Sequence, residues 1–237
     1  MKSKRIYYIF PFVLVLLLTA PFLLISKQES VLIVNHATTL FLDRFFKTIT
    51  WFGEGFMICI ALFFVIFLRL RWFMTFVVGL LIHLVLINAN KHFFFPEISR
   101  PLGYFTDLGK ADLIRIVDGV TVHFRNSFPS GHTTGATFGA VLVALIYSSK
   151  RISFFLAIIA MLVGYSRMYL GQHFFVDVYF GYFFGIVSAV AAYYIVKQMK
   201  YPWLSYHLKI LEVKPIKRVY LNIVKSTRYH LNSVSEF

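Results

Sequence analysis

Three short polar stretches interrupt a largely apolar sequence, and their residue types are those that act on a phosphate ester. The stretches are 91–101 (KHFFFPEISRP), 128–132 (FPSGH) and 166–177 (SRMYLGQHFFVD). Ionisable side chains are costly near lipid, so their presence at membrane depth favours a functional site. Hydrolysis of such an ester requires cations for the phosphate oxygens, a nucleophile in line with the leaving group, and a proton donor for that group.

Arginine suits the first task, because its planar guanidinium stays charged and bonds phosphate oxygens in pairs. Arg100 and Arg167 are the candidates for phosphate binding, and Lys91 adds a further positive charge. Ser130 and Gly131 stand where an apolar helix is predicted to begin, so a hydroxyl and free backbone N–H groups are also available to an anion. For Arg100 taken alone, contact with the phosphates of lipid headgroups is an equally good interpretation.

A histidine nucleophile is predicted at the start of the last apolar run, where Asp177 follows His173 by four residues. That spacing places both side chains on one face of a helix. A carboxylate that accepts a hydrogen bond from one imidazole nitrogen fixes the tautomer and leaves the other nitrogen free to attack. His132 is the predicted proton donor, because it stands beside the phosphate-binding turn. A structural His–Asp hydrogen bond and a proton relay in a transporter are the alternatives for the pair.

In order and spacing, the three stretches resemble the tripartite signature of the type 2 phosphatidic acid phosphatase family, which shares its core with vanadium-dependent haloperoxidases. The motif residues that match are Arg100, Pro101, Pro129, Ser130, Gly131, His132, Ser166, Arg167, His173 and Asp177. Eight residues separate Lys91 from Arg100, where the family's first motif has six. Lys91 therefore departs from the family pattern in its spacing from Arg100.

The resemblance implies that His173 forms a phosphohistidine intermediate, that Asp177 orients it, and that His132 protonates the leaving group. It further implies that the phosphate is bound by Lys91, Arg100, Ser130, Gly131 and Arg167, without a metal ion or another cofactor. The substrate would be a phosphorylated membrane lipid, such as undecaprenyl diphosphate, phosphatidylglycerol phosphate, phosphatidic acid or a lipid A phosphate. A lipid-to-lipid phosphotransferase with the same site and a lipid or ion transporter are the rival functions.

The composition predicts a polytopic membrane protein. The 237 residues are 59% hydrophobic and 14% charged, whereas soluble domains carry roughly 25% charged residues. The net charge of +14 does not indicate a nucleic-acid partner, since basic residues gather on the cytoplasmic flanks of membrane helices and no nucleic-acid-binding motif is present. The single cysteine, Cys59, forms no intrachain disulfide.

Apolar runs of about 20 residues predict an all-α protein with six transmembrane helices. The predicted spans are 6–25, 49–68, 72–90, 133–147, 152–170 and 174–196. Small residues recur every fourth position at 131–139 and 181–189, which favours close packing of these two helices. We expect a single membrane domain over 1–196 and a basic cytoplasmic tail over 197–237, which either lies on the anionic inner leaflet or is a flexible end.

Six spans place both termini on one side, and the short basic turns at 69–71 and 148–151 indicate that this side is the cytoplasm. The three polar stretches then share the opposite, periplasmic or extracellular, face of the cell membrane. A transporter would instead need polar residues throughout the depth of the membrane. Outside the motifs, Glu54 is expected to make a structural hydrogen bond rather than line the site, and Arg115 and Arg125 are expected in solvent rather than at a second phosphate.

Overall fold

Residues 3–206 are described by a computed structural model of the chain, and they contain helices but no β-strand. The α-helices in this part of the chain are α1 Phe10–Thr19, α2 Lys27–Asn35, α3 Leu40–Thr50, α4 Phe56–Ile66, α5 Leu70–Asn88, α6 Pro101–Asp107, α7 Gly131–Tyr147, α8 Lys150–Tyr169 and α9 Phe175–Gln198. Short 3₁₀-helices flank α1 and follow α3, and the π-helix Ala89–Phe94 extends α5. The predicted all-α class is thus confirmed.

The helix α7 forms the centre of the bundle. It packs against α4, α5, α8 and α9, and every residue from Thr133 to Leu145 is buried. A helix that is apolar on all sides must be enclosed by others. The Ser130 side chain caps its first turn and Ser148, with a φ of 53°, ends it in the left-handed conformation. This core helix carries the second motif at its N-terminus, so its burial fixes the position of that motif.

Two glycines allow the neighbouring helices to approach α7 closely. A Cβ atom at Gly139 would lie 2.6 Å from the Met57 carbonyl oxygen of α4, and one at Gly181 would lie 2.7 Å from the Ser130 carbonyl oxygen. Real Cβ atoms do not come so near, so neither position accepts a side chain without movement of the backbone. The Gly181 contact presses α9 against the start of α7 and brings the second and third motifs together.

The chain is a multi-pass membrane protein, but the predicted count of six spans is not confirmed. In the described part of the chain, the helices long and apolar enough to cross a membrane are Arg5–Leu24, Leu70–Phe94, Lys150–Tyr169 and Phe175–Gln198. A fifth span is formed if the pair Leu40–Gly53 and Phe56–Ile66, bent by 46°, counts as one. The predicted second span therefore begins earlier and is broken at 51–55, and α7, with 17 residues, is at the short limit for a crossing.

At the end of the bundle remote from Gly131, two arginines bond the free carbonyl groups of helix C-termini. Arg5 donates to the carbonyl oxygens of Leu145 and Ile146 at the end of α7. Arg71 donates to those of Val196 and Met199 at the end of α9. Cations at helix C-termini complement the helix dipole. The long axis of α7 separates these arginines from the motif end by about 25 Å.

The expectation that Arg115 lies in solvent was wrong. Its guanidinium forms two hydrogen bonds with the Asp43 carboxylate of α3, at 2.9 and 3.1 Å. Asn35 also bonds the Arg115 backbone on both sides, and the Tyr169 hydroxyl donates to Asp43. These bonds hold the connection between α6 and α7 over the motif end of the bundle.

Arg125 is half exposed, near Asp107. Of the predicted tail, residues 207–237 lie outside the described part of the chain.

Candidate active site

A polar cavity of about 370 Å³ opens at the motif end of the bundle. We call it the polar cavity. The residues that line it are Lys47, Thr50, Trp51, Glu54, Arg100, Gly119, Val120, Thr121, His123, His132, Arg167, Leu170 and Gln172. Arg100, His132 and Arg167, one residue from each motif, line this cavity. The predicted convergence of distant stretches at one end of the bundle is therefore a feature of the fold.

Arg167 projects from the last turn of α8 and is 6% exposed. One of its terminal nitrogens donates to the Thr50 hydroxyl of α3 at 2.8 Å, while its buried Nε has no hydrogen-bond partner in the described part of the chain. Buried donors in native proteins are almost always bonded. A guanidinium that is held on one side and unsatisfied on the other is suited to receive an anion.

Arg100 directly precedes α6, lines the polar cavity and is 8% exposed. Its Nε donates to the Arg125 carbonyl oxygen at 3.0 Å, and a terminal nitrogen donates to the Gln172 side chain at 3.2 Å. Burial lowers the pKa of Arg100 from its ordinary value. No carboxylate among residues 3–206 forms an ion pair with Arg100 or Arg167. Two buried cations that lack an ion-pair partner make the cavity attractive to anions.

His173 lies in the connection between α8 and α9, two residues before the helix that was expected to carry it. Its ring is 1% exposed, and its Nδ1 lies 3.5 Å from the Asp177 carboxylate. Asp177 is held by the Phe174 backbone N–H, which donates to it at 2.9 Å and caps α9. The pair thus meets through a helix cap and not along one helix face.

Ser127 bridges the same two groups and was not anticipated from the sequence. Its hydroxyl donates to Asp177 at 2.5 Å and lies 3.4 Å from Nδ1 of His173. A hydroxyl that gives its proton to the carboxylate can only accept from the ring, so Nδ1 carries the ring proton. Nε2 is then the nitrogen with a free lone pair. Burial, followed by the charges of Arg100 and Arg167, holds the pKa of His173 well below its usual range, which keeps the ring neutral.

His132 is the second residue of α7 and lines the polar cavity, with its Nε2 3.8 Å from Glu54. Gly131 is half-buried, and the N–H groups of these first two residues have no partner in the described part of the chain. Unpaired N–H groups at a helix start attract anions. Ser130 is fully buried instead, with its hydroxyl oxygen 2.9 Å from that of Thr133. Its visible task is to cap α7.

Lys91 lies on the π-helix Ala89–Phe94 and donates to the Asn126 carbonyl oxygen at 3.2 Å. It is half-buried and near enough to Arg100 and Asp177 for their charges to affect it. The π-helix and the turn at Glu97, which has a φ of 63°, occupy the interval that is two residues longer than in the family motif. The extra residues are thus absorbed locally. Lys91 stays beside the motif residues, although it does not line the polar cavity.

Gln172 and Thr50 are further site residues that sequence reasoning missed. Gln172 is 1% exposed and also donates to the Thr121 carbonyl oxygen, so it holds Arg100 against the α6–α7 connection. Thr50 holds Arg167 from α3. Neither residue is one of the signature positions of a motif, and neither follows an apolar period. The only available signal was the presence of Gln172 inside the third motif, beside His173.

Comparison with known proteins gives a consistent result. The model of the PAP2 superfamily matches residues 72–201. A lipid A 4'-phosphatase of Porphyromonas gingivalis is 28% identical over 189 residues, which are 78% of this chain and 78% of that enzyme. The undecaprenyl-diphosphatase BcrC of Bacillus subtilis is 44% identical over 52 residues, so that match spans 22% of this chain and only 26% of BcrC.

Two solved structures share the fold. LpxE of Aquifex aeolicus has a TM-score of 0.58 and 28% identity, over 69% of this chain and 92% of LpxE. A transmembrane PAP2 type phosphatidylglycerolphosphate phosphatase of Bacillus subtilis has a TM-score of 0.53 and 20% identity, over 84% of this chain and 98% of that one. The predicted family, the helical membrane fold and the phosphatase class are confirmed by these findings.

Proposed function

Because the chain belongs to the PAP2 superfamily, we propose that it hydrolyses a phosphomonoester or diphosphate bond of a membrane lipid, without a metal ion and through a phosphohistidine. One observation carries the proposal: the buried guanidinium groups of Arg100 and Arg167, which form no ion pair with a carboxylate in the described part of the chain, converge on a cavity that His132 also lines. His173 directly follows Gln172, another lining residue, and is itself buried. A phosphate supplies the missing negative charge and brings its phosphorus close to the free nitrogen of His173.

In the first step, Nε2 of His173 forms a bond to phosphorus while the bond from phosphorus to the leaving oxygen breaks. His132 gives its proton to that oxygen, so the alcohol or lipid phosphate departs neutralised. Asp177 and Ser127 stabilise the positive charge that develops on the His173 ring. Arg100 and Arg167 stabilise the equatorial phosphoryl oxygens, and the free N–H groups at the start of α7 assist them.

In the second step, water replaces the histidine. His132, now neutral, takes a proton from the water as its oxygen bonds to phosphorus, and the bond from phosphorus to Nε2 breaks. Inorganic phosphate leaves, and both histidines return to their starting state. Among the described residues, no three His, Cys, Asp or Glu side chains are grouped as metal ligands. Arg100 and Arg167 supply positive charge of the kind that a metal ion brings to a phosphoryl group, which supports a reaction that needs no metal ion.

The substrate candidates are undecaprenyl diphosphate, phosphatidylglycerol phosphate, phosphatidic acid and a lipid A phosphate. A lipid A phosphate comes first, because the relative that matches over 189 residues is a lipid A 4'-phosphatase. The site is assigned to the outer face of the cell membrane and both termini to the cytoplasm. The arginines at the opposite end of α7 and α9 support that assignment.

The test is phosphate release from these four lipids by the purified full-length protein, in detergent with a chelator present. His173→Ala is expected to abolish release, and His92→Ala, which changes an exposed histidine, should retain it. Radiolabel from the substrate phosphate should appear on the wild-type protein in an acid-labile, alkali-stable linkage, which is the chemical signature of a phosphohistidine. Turnover by the His173 variant, or a strict metal requirement, would refute the mechanism. Transfer of label to a second lipid would indicate phosphotransfer.

The topology is tested separately, after replacement of the exposed Cys59. Single cysteines at Thr106, on α6, and at Ser149, between α7 and α8, should react with a membrane-impermeant reagent from opposite sides of intact cells or vesicles. Labelling of Thr106→Cys from outside and of Ser149→Cys only after permeabilisation is the expected result. Labelling of both from one side would contradict the assignment.

A further inference from the structure

Glu54 stands in the break between α3 and α4, directly against His132. The break is shaped by Gly55, which has a φ of 94°, and by Gly53, where a Cβ atom would lie 2.7 Å from the Cβ of His132. Since the backbone of the break touches the base of the His132 side chain, the position of Glu54 beside the ring is set by packing. Its carboxylate oxygen lies 3.8 Å from Nε2.

Glu54 is the one carboxylate among the residues that line the polar cavity. Its side chain is 54% exposed and, within residues 3–206, has no charged partner within ion-pair distance other than His132. A gap of 3.8 Å is longer than a hydrogen bond, but a half-exposed glutamate closes it by a small rotation. Hydrogen bonds between catalytic groups are often long before the substrate binds.

The surroundings of His132 make a counter-charge necessary. To act as an acid, the ring must carry a second proton before the leaving oxygen takes it, yet cations face it from several elements. Positive neighbours disfavour the protonated ring, and a carboxylate favours it. Burial of the ring disfavours the charged form most, and the positive groups near it add to this effect. Among the described residues, the charged and titratable groups around His132 are Glu54 from the α3–α4 break, Lys91 from the π-helix, Arg100 before α6, Arg167 from α8 and His173 before α9, and Lys47 and His123 line the same cavity.

We propose that Glu54 is a positioning residue, which accepts a hydrogen bond from Nε2 of His132 and thereby holds the ring protonated with its other nitrogen facing the leaving oxygen. This inference rests on the proposed function and adds a residue to it. The proton given to the leaving group comes from the other ring nitrogen, so Nε2 keeps its proton and the bond to Glu54 persists. In the second step the same bond leaves the ring ready to accept a proton from water.

The experiment compares Glu54→Gln with wild type on decyl phosphate, whose alkoxide leaves poorly, and on para-nitrophenyl phosphate, whose phenolate leaves without protonation. In the variant, kcat/KM for decyl phosphate, which reports formation of the phosphohistidine, should fall about tenfold to hundredfold, and kcat/KM for the aryl phosphate should change little. KM should not rise, because the substitution removes the negative charge of Glu54, which repels the phosphate group of the substrate. The basic limb of the decyl phosphate pH profile should move about one pH unit lower. Glu97→Gln, a change at an exposed carboxylate, is the matched control.

A second measurement does not depend on turnover. The His132 resonance, assigned by its loss in His132→Gln, is titrated by NMR of the histidine-labelled full-length protein. Its pKa should fall in Glu54→Gln and stay unchanged in Glu97→Gln. Equal loss of kcat/KM on both substrates, or an unmoved His132 titration, would overturn the inference. If the titration moves but wild type hydrolyses none of the phosphates, the proposed function fails while the pairing of Glu54 with His132 stands.

Discussion

Two arginine clusters lie at the same end of the bundle, and they differ in whether their charge is matched. Arg115 forms two hydrogen bonds with Asp43, which also accepts from Tyr169. Arg100 and Arg167 are more deeply buried, yet they bond only neutral oxygens in the described part of the chain. The first cluster satisfies its own charge, and the second does not.

On the proposed function, this difference separates a structural cation from two that bind the substrate. Removing either partner of a matched pair leaves a poorly solvated charge, so the Arg115 cluster contributes to holding the α6–α7 connection in place. The unmatched pair costs free energy in the absence of a ligand, and a phosphate offsets that cost on binding. Buried groups that are strained or unsatisfied concentrate at functional sites for this reason.

The largest effect is expected from Arg167→Leu. This change removes a guanidinium that we propose to bind the phosphoryl oxygens, so kcat/KM for phosphate release should fall by about a hundredfold to a thousandfold. The midpoint of thermal unfolding should stay the same or rise, because an unmatched buried charge is lost. Arg125→Leu, at a half-exposed arginine, is the control. Lower stability together with near-normal activity would reverse the distinction between the two clusters.

A smaller effect is expected from Ser127→Ala. The variant keeps both catalytic groups but loses the hydroxyl that bonds Asp177 and fixes the His173 tautomer. A hydrogen bond to a charged group is worth about 1.5–3 kcal/mol, so kcat should fall about tenfold to hundredfold, with little change in KM. Ser153→Ala removes a buried hydroxyl near the opposite end of α8 and should leave kcat near the wild-type value. An unaltered kcat in the Ser127 variant would show that Asp177 alone orients the ring.

The smallest effect on turnover is expected from Arg115→Leu. The matched cluster is partly exposed, with 27% and 22% of its two charged side chains accessible, so its loss should destabilise the fold by about 1 kcal/mol. Thermal unfolding in detergent measures this loss, and a double-mutant cycle with Asp43→Asn isolates the pair. Phosphate release should remain close to wild type. A large loss of activity at unchanged stability would place Arg115 in the substrate site.

The helices of the membrane core were predictable to a useful extent, because apolar runs of bilayer length leave a clear signal. The predicted spans near 6–25, 72–90, 152–170 and 174–196 each correspond to a long apolar helix. The break at 51–55 had no such signal. Glycine is common in membrane helices, so the presence of Gly53 and Gly55 does not by itself predict the end of one. At the break Gly55 has a φ of 94° and Gly53 packs against His132, a tertiary contact that the sequence does not reveal.

The sequence by itself determined the family. Binding a phosphate and attacking it require arginines, histidines and a carboxylate, and few such residues occur in an apolar chain without a task, so their types and spacing identify the family. Only the tertiary structure decided how each one is supported. Ser127 forms a hydrogen bond with Asp177, 50 residues away in the sequence, and Thr50 forms one with Arg167, 117 residues away. Contacts between such distant positions produce no periodic pattern in the sequence. For the same reason the sequence does not distinguish Arg115 from Arg100 and Arg167. In the folded chain, within residues 3–206, Arg115 forms an ion pair with a carboxylate and the other two do not.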